Sequence, residues 1–181
     1  MPAEKPSALS PYTDAILAAL QWQGARNDCG PFTVATVLNG LRNLRIEAVE
    51  LARAMDKPVW RGPFPVVRRI PEWATFPWGI ASVLRENGLR ARWHFFGSRK
   101  LLRQSLDRGD VIMPVIGSWK PLWAHVMTML AWDAGKKCWG FANTQTMDHT
   151  MYWLDDKTFT SQWRAMGNLL IEIKASDIIQ L

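Results

Sequence analysis

Four polar side chains in this sequence have the types that acyl transfer needs: a cysteine, a histidine, an asparagine and a glutamine. Cys29 lies in the segment QWQGARNDCGPF (21–32), between an acidic residue and a glycine. Asn27 or Asp28 can cap a helix and Pro31 suits its first turn, which predicts that Cys29 lies at a helix N-terminus. The positive end of a helix and a nearby imidazolium both lower the pKa of a thiol, and the thiolate is the nucleophilic form. Cys29 is therefore a candidate nucleophile.

His125 is the best candidate for the imidazole among the three histidines. It begins a long apolar strand after a loop rich in Trp and Pro (SWKPLWAH), and residues at the mouth of a strand face clefts more often than residues in its middle. His94 lies inside RARWHFF, which favours a half-buried strand position. His149 lies in MDHT, which favours an exposed turn. His125 is therefore the candidate general base.

A catalytic imidazole also needs an acceptor that fixes its tautomer and its ring plane. The segment CWGFAN predicts a strand that pairs with the strand of His125 through a tight turn at Ala134–Lys137. The register of that hairpin puts Asn143 close to opposite His125. Gln23, six residues before Cys29, can donate a side-chain amide to an oxyanion together with the backbone N–H of Cys29. Gln21 is the alternative donor.

Each of these residues also has a plainer interpretation. Cys29 can be a small buried hydrophobe at a helix start, Asn143 a turn residue, and Gln23 a solvated loop amide. A disulfide between Cys29 and Cys138 would consume the thiol, and a chain of 181 residues can bury a core without one. Cys138 at a strand start is most simply a packing residue. No paired Cys or His spacing of a zinc site occurs, so we expect neither metal nor cofactor.

Composition and charge limit the function classes further. The length and the 48% hydrophobic content predict one globular domain, residues 1–181. A net charge of +6 is compatible with nucleic acid, but the sequence has no RNP, zinc-finger or compact basic pattern, so nucleic-acid binding is not expected. No apolar run is long enough to span a bilayer, and the N-terminus lacks the pattern of a signal peptide. We expect a cytoplasmic location by default, with export left open; the sequence does not give the oligomeric state.

The elements that must position these residues follow from periodicity. Val34, Val37, Leu38 and Leu41 have helical spacing, whereas strand-like patterns begin near residue 90. Helices are predicted from Thr13 and over 29–43, 48–55, 77–86, 99–108 and 155–166; strands are predicted over 90–96, 110–117, 125–133, 138–143, 151–154 and 169–174. Helices in the first half and antiparallel strands in the second half predict an α+β fold.

Two segments lie outside that pattern. Residues 1–12 carry three prolines and predict a loose N-terminal lead-in. Residues 57–77 carry five prolines and predict a long ordered loop, which we expect to form one wall of the cleft. Its four aromatic side chains are expected to be buried: Trp60, Phe64, Trp73 and Phe76.

The order of these residues resembles the papain-like clan of cysteine peptidases. Within that clan, NDCGPFTVATVL is similar to the DCGP segment of the bacteriocin-processing, double-glycine-type peptidases and their broad relatives. TFPWGIASVLRENGL and VIMPVIGSWKPLWAHVMTMLAWD are similar to that family's order of elements, and the resemblance covers residues 21–145. Those peptidases usually carry Asp and Pro at the orienting position, whereas this chain has Asn143 and Thr144, which is more like papain.

The resemblance implies a papain-like fold, with a helical N-terminal half packed on an antiparallel sheet, and a peptide or protein substrate. It implies that Cys29 is the nucleophile, that His125 is the general base and then the acid, that Asn143 orients the imidazole, and that Gln23 stabilises the oxyanion. The reaction would be hydrolysis through a thioester acyl-enzyme. Acyl or amide transfer on the same residues, and a catalytically silent binding module, are the alternatives.

Overall fold

The computed structural model describes residues 6–179 of the chain. Within that range seven helices form: α1 (Thr13–Ala18), α2 (Cys29–Arg42), α3 (Ala48–Asp56), α4 (Pro77–Glu86), α5 (Arg99–Arg108), α6 (Asp156–Ala165) and α7 (Ala175–Ile179). The same range contains twelve strands: β1 (Ala8–Leu9), β2 (Val59–Arg61), β3 (Phe64–Val66), β4 (Arg69–Ile70), β5 (Ala74–Thr75), β6 (Ala91–His94), β7 (Val111–Trp119), β8 (Leu122–Val126), β9 (Thr128–Asp133), β10 (Cys138–Ala142), β11 (Tyr152–Asp155) and β12 (Leu170–Ile173).

Eight of these strands form one antiparallel sheet. Its order is β11-β10-β9-β7-β12-β6, with β1 added beside β9 and β8 beside β7. Helices α1 to α4 precede every long strand of the sheet in the chain, and α2 and α4 pack on it. The predicted α+β class, with a helical N-terminal half packed on an antiparallel sheet, is confirmed.

The sheet is covered on both faces, and the alternation of side chains along β7 shows how. Val111 and Met113 belong to a buried cluster with residues of α2 and α4. Ile112 and Ile116 point to the other face and join a second cluster with residues of α5 and α6. Because successive side chains of a strand point to opposite faces, β7 contributes to two cores at once. It is therefore the central support for the strand that pairs with it, β8.

Helix α2 begins at Cys29 and buries the face that its spacing predicts. Val34, Val37 and Leu38 have no exposed surface. The helix ends at Arg42, and Asn43 follows in the left-handed conformation (φ 49°) that Asn tolerates better than most residues. The N-cap residue is Asp28, but its carboxylate makes no capping hydrogen bond.

Local signals also fix the ends of α5 and α6. The Ser98 hydroxyl accepts a hydrogen bond from Leu101 N at 3.1 Å, and Gly109 (φ 74°) ends α5, as the sequence predicts. The Asp155 carboxylate accepts one from Thr158 N at 2.9 Å, which caps α6. Short-range signals therefore mark both ends of α5 and the start of α6.

The predicted loose lead-in over 1–12 is wrong for its later part. Ala8 and Leu9 form β1, which pairs with β9, and Ser10 N donates to Leu130 O at 2.7 Å. β7 pairs with β9 at Met129, and β1 pairs with the following residues of β9, Ala131 and Trp132. A two-residue strand carries no periodicity, so the sequence could not reveal it. Residues 1–5 of the prediction lie outside the described residues.

The predicted loop over 57–77 folds instead into two short hairpins, β2–β3 and β4–β5. We call residues 59–75 the double hairpin. Phe76, just beyond it, is half-buried and stacks on Trp78 with ring centroids 4.4 Å apart. The expectation of burial is wrong for the three aromatic side chains that are exposed by 62% to 70%: Trp60, Phe64 and Trp73. A two-stranded hairpin is too small to cover both of its faces, which leaves these rings in solvent.

The predicted strand over 125–133 is two strands, β8 and β9, which separate at Met127. β8 pairs with β7, with His125 opposite Ile116, whereas β9 pairs with β10. The segment HVMTMLAWD is buried almost throughout, so no alternation of polar and apolar residues marks the break. His125 and Asn143 therefore lie on different strand pairs and not on one hairpin.

No helix within residues 6–179 is both long and apolar enough to cross a membrane.

Candidate active site

A cavity of about 270 Å³ opens beside the first turn of α2. Cys29 and His125 both line it, and the double hairpin contributes Trp73 and Thr75. The remaining wall is mostly apolar: Ile80, Val115, Leu122, Trp123 and Leu169. The fold thus brings a thiol and an imidazole to one concave surface that contains few other polar groups.

The Cys29 thiol sits at the N-terminus of α2 in surroundings that keep it protonated. Burial raises its pKa, and this outweighs the backbone N–H groups of Val126 and Gly30, which lower it. The Asp28 carboxylate raises the pKa further, whereas the Arg69 guanidinium lowers it. The helix terminus alone predicted a lowered value; desolvation reverses the direction. At rest the site therefore holds a neutral thiol that needs a base.

His125 is the candidate for that base, because one of its two ring nitrogens makes no hydrogen bond within the described residues. Its Nε2 lies 2.8 Å from Asn143 Oδ1, and since an amide oxygen only accepts, Nε2 carries the proton. The other nitrogen, Nδ1, is buried and has no hydrogen-bond partner among the described residues. Burial lowers the pKa of His125, and the bond to Asn143 opposes that only in part. The imidazole is therefore neutral, with the Nδ1 lone pair open.

Asn143 follows directly after β10 and is held firmly. Its Oδ1 also accepts a hydrogen bond from Gln145 N at 3.0 Å, and its backbone carbonyl accepts one from the Thr146 hydroxyl at 2.9 Å. The side chain is buried. The structure thus brings His125 and Asn143 together, although through two strand pairs and not through the single hairpin that the sequence predicts.

Gln23 is buried and tied to the residue after Asn143. Gln23 N donates to Thr144 O at 2.8 Å, and the Thr144 hydroxyl donates to Gln23 Oε1 at 2.7 Å. Gln23 Nε2 donates to Arg26 O at 2.7 Å. One of its two amide N–H groups is therefore engaged within the loop, and an oxyanion role depends on the second.

The alternative residues lie elsewhere. Gln21 Nε2 donates to Ile46 O at 2.7 Å, and Gln21 Oε1 accepts from Ala48 N at 2.8 Å, which anchors the start of α3. His94 lies in β6, paired with β12, and His149 is exposed with Nδ1 2.9 Å from Leu17 O. Cys29 and Cys138 are both free thiols. Gln21 therefore has a structural role of its own, and Cys29 and Cys138 form no disulfide with each other.

Sequence reasoning missed Arg69. Its Nη2 donates to Asp28 Oδ1 at 2.6 Å, which is why the Asp28 carboxylate does not cap α2. Both side chains are almost fully buried. The two residues are 41 positions apart in the chain, and two adjacent arginines in a proline-rich segment carry no local signal that one of them contacts Asp28. An acidic residue at a predicted N-cap next to a cysteine was the only hint.

Among solved structures, the chain is similar to a candidate C39-like peptidase from Bacillus anthracis, with a TM-score of 0.68. The match covers 94% of this chain and 98% of that chain, at 12% sequence identity. The chain shares the fold of that protein. No protein-family model matches the sequence, and no curated protein does either. The C39-like fold agrees with the predicted papain-like architecture, and at this identity the likeness concerns the fold alone.

The buried histidine of this C39-like fold gives a prediction for stability. The free energy of unfolding is expected to fall as the pH is lowered from about 7.5 to about 5.5, because burial lowers the pKa of His125 in the folded state. The unfolded chain takes up a proton near its usual pKa of about 6.5, whereas the folded chain does not, so acid favours unfolding. Urea denaturation at both pH values checks this. The loss should be smaller in His125→Gln, and equal losses would assign the effect to other groups.

Asn143 gives a prediction for turnover within the C39-like fold. Asn143→Ala is expected to lower kcat about 10²-fold with little change in KM, because the imidazole loses the acceptor that fixes its plane and tautomer. Steady-state kinetics on a cleaved peptide measures this. Gln145→Ala is the matched control, since Gln145 is exposed and contacts Asn143 through its backbone N–H. A similar loss in both variants would point to a general disturbance of the loop.

Proposed function

We propose that this chain is a cysteine peptidase that hydrolyses peptide bonds through a thioester on Cys29. The observation that carries the proposal is the cavity shared by Cys29 and His125, with the imidazole held by Asn143 in the tautomer that leaves Nδ1 unprotonated. A neutral thiol and a neutral imidazole that line one cavity supply the two groups that general-base attack needs, and the step requires the thiol to approach the unpaired Nδ1. The shared C39-like fold supports the same class of reaction at a coarser level.

Acylation begins when the Cys29 thiol gives its proton to His125 Nδ1 and the sulfur attacks the carbonyl carbon of a peptide bond. The carbonyl oxygen becomes an oxyanion, which accepts hydrogen bonds from the Cys29 N–H and from the Gln23 side chain. As the C–N bond breaks, the His125 imidazolium protonates the leaving amine. The product is a thioester on Cys29 and a free peptide amine.

Deacylation uses the same groups in reverse. His125 Nδ1 takes a proton from water, the resulting hydroxide attacks the thioester carbonyl, and the C–S bond breaks. The Cys29 thiolate recovers a proton from the imidazolium, and a carboxylic acid leaves. If an amine attacks in place of water, the outcome is transfer. The same apparatus therefore supports the alternative of acyl or amide transfer.

The cavity wall also indicates the kind of side chain that a substrate presents. Ile80, Val115 and Leu169 form its apolar part, and no Lys, Arg, Asp or Glu within residues 6–179 lines it. Burying an apolar side chain there is favourable, whereas burying an unpaired charge is costly. We expect the chain to cleave peptides next to a bulky apolar residue whose side chain occupies this cavity.

Digestion of a mixed peptide library, with new termini identified by mass spectrometry, tests the proposal. We expect cleavage that clusters around one bulky apolar position and stops when the protein is first treated with iodoacetamide. Repeating the digest with an added amine distinguishes hydrolysis from transfer by the product masses. An absence of new termini would favour a binding module, and cleavage that survives alkylation would remove the thiol from the mechanism.

A further inference from the structure

A buried carboxylate stands immediately before the proposed nucleophile. Asp28 is 5% exposed and precedes Cys29 at the N-cap of α2, yet its side chain makes no capping bond. A buried negative charge next to a thiol opposes formation of the thiolate, so a site of this kind requires a counter-charge. Arg26 Nη1 lies 3.6 Å from Asp28 Oδ2, but the Arg26 side chain is 57% exposed and its charge is screened by water.

The counter-charge comes from Arg69 in the double hairpin. Its side chain is 3% exposed, its Nη2 lies 2.6 Å from Asp28 Oδ1, and its Nε lies 3.0 Å from Asp56 Oδ1 at the end of α3. One guanidinium thus links the start of α2, the end of α3 and strand β4. Because the Asp56 side chain is 34% exposed, solvent screens its charge, whereas the bond to Asp28 is enclosed.

The same hairpin contacts the other neighbour of Cys29. Thr75 pairs with Arg69 across β4 and β5. Thr75 packs so closely on Gly30 that a Cβ added to Gly30 would lie 2.5 Å from Thr75 Cβ. The β4–β5 hairpin therefore contacts both chain neighbours of Cys29: Arg69 bonds to Asp28, and Thr75 packs on Gly30.

We propose that Arg69 is a positioning residue for Cys29: it neutralises Asp28 and fixes the β4–β5 hairpin against both neighbours of the thiol. This inference rests on the proposed function in treating Cys29 as the nucleophile. The titratable and charged side chains around the thiol are Asp28 from the N-cap of α2, Arg69 from β4 and His125 from β8. Without Arg69, Asp28 faces the thiol with no enclosed partner.

The test is the rate of Cys29 alkylation by iodoacetamide as a function of pH, followed by peptide mass spectrometry so that Cys138 is scored separately. Arg69→Met is expected to slow alkylation of Cys29 about tenfold near neutral pH and to move the profile to higher pH. Asp28→Asn is expected to move it to lower pH. The double variant D28N/R69M, which removes both charges, is expected to return towards the unmodified protein.

Arg68→Met is the matched control. Arg68 is the adjacent buried arginine, and it contacts Glu86 at 3.2 Å and Ala54 O at 2.6 Å. Its loss removes a buried cation directly before β4 but leaves the Asp28–Arg69 pair in place, so the alkylation profile should stay unchanged. An equal shift in both arginine variants, or no shift in Arg69→Met, would overturn the inference.

Arg69→Met leaves a buried carboxylate without its partner, so circular dichroism and a melting curve accompany each variant. If Arg69→Met does not fold, Asp28→Asn decides: a profile moved to lower pH supports the inference, and an unmoved profile overturns it. Alkylation needs no turnover. If the protein cleaves no peptide but the variants show these shifts, the inference about Arg69 stands and the proposed function fails. If the protein cleaves peptides and the variants show no shifts, the proposed function stands and the inference about Arg69 fails.

Discussion

Cys29→Ala is expected to abolish peptide hydrolysis while leaving the fold intact. The sulfur is the only heavy atom removed, and in the proposed mechanism it forms the bond that carries the acyl group. Loss of a catalytic nucleophile lowers turnover on the order of 10⁴-fold or more, because hydrogen-bond donors and substrate binding alone keep only about 10³- to 10⁴-fold acceleration over water. The thiol at the start of α2 contacts the backbone N–H groups of Gly30 and of Val126 in β8, but α2 is held mainly by its buried apolar face, so the circular dichroism spectrum should be unchanged.

The chain offers its own control for this experiment. Cys138 is a free thiol at the start of β10, paired with Asp133 and Asp155 across the strands on either side. Cys138→Ala removes the same group from outside the cavity and should keep full activity. Hydrolysis of the peptide by the Cys29→Ala variant at more than a tenth of the original rate would rule out Cys29 as the nucleophile.

His125→Ala is expected to cause the next largest loss, about 10³- to 10⁴-fold in kcat. In the proposed mechanism the imidazole acts twice, as base towards the thiol and as acid towards the leaving amine. Burial lowers its pKa and keeps Nδ1 free of a proton, which suits the first task. Initial rates on a peptide that the protein cleaves measure the effect.

Adding free imidazole to the His125→Ala variant tests the proton-transfer role more directly. The variant leaves a space beside Asn143 Oδ1, where a free imidazole can donate its N–H and restore part of the rate. His94→Ala is the control, since His94 lies in β6 on the far side of β12 from β7. Equal losses in both histidine variants, or no recovery with imidazole in His125→Ala, would speak against a proton-transfer role.

The sequence predicted the elements whose signals are local. The buried spacing of Val34, Val37 and Leu38 fixes α2, and the Ser98 cap with Gly109 fixes α5. Such signals depend on residues within two turns of each other. They account for the α+β class and for the position of Cys29 at the beginning of a helix.

The parts that failed depend on contacts between distant segments. The break at Met127 is invisible because both sides of it are buried, and the exposure of Trp60 and Trp73 depends on how little surface a short hairpin can cover. The raised pKa of Cys29 has the same origin, since desolvation in the assembled fold outweighs the backbone N–H groups that lower the pKa. The local sequence pattern predicts where the helix begins, but the desolvation of the Cys29 thiol depends on contacts that form only in the assembled fold.

The two hydrogen bonds between Gln23 and Thr144 join positions 121 residues apart in the chain. A contact of that span closes most of the chain into one loop, and because the entropic cost of closure grows with the logarithm of the span, it costs about 2 kcal/mol more than a contact that spans 18 residues. The bond between His125 and Asn143 is local by comparison, at a separation of 18. His125 and Asn143 can therefore be brought together at a lower entropic cost than the segment that carries Gln23 and Cys29 can be brought to them.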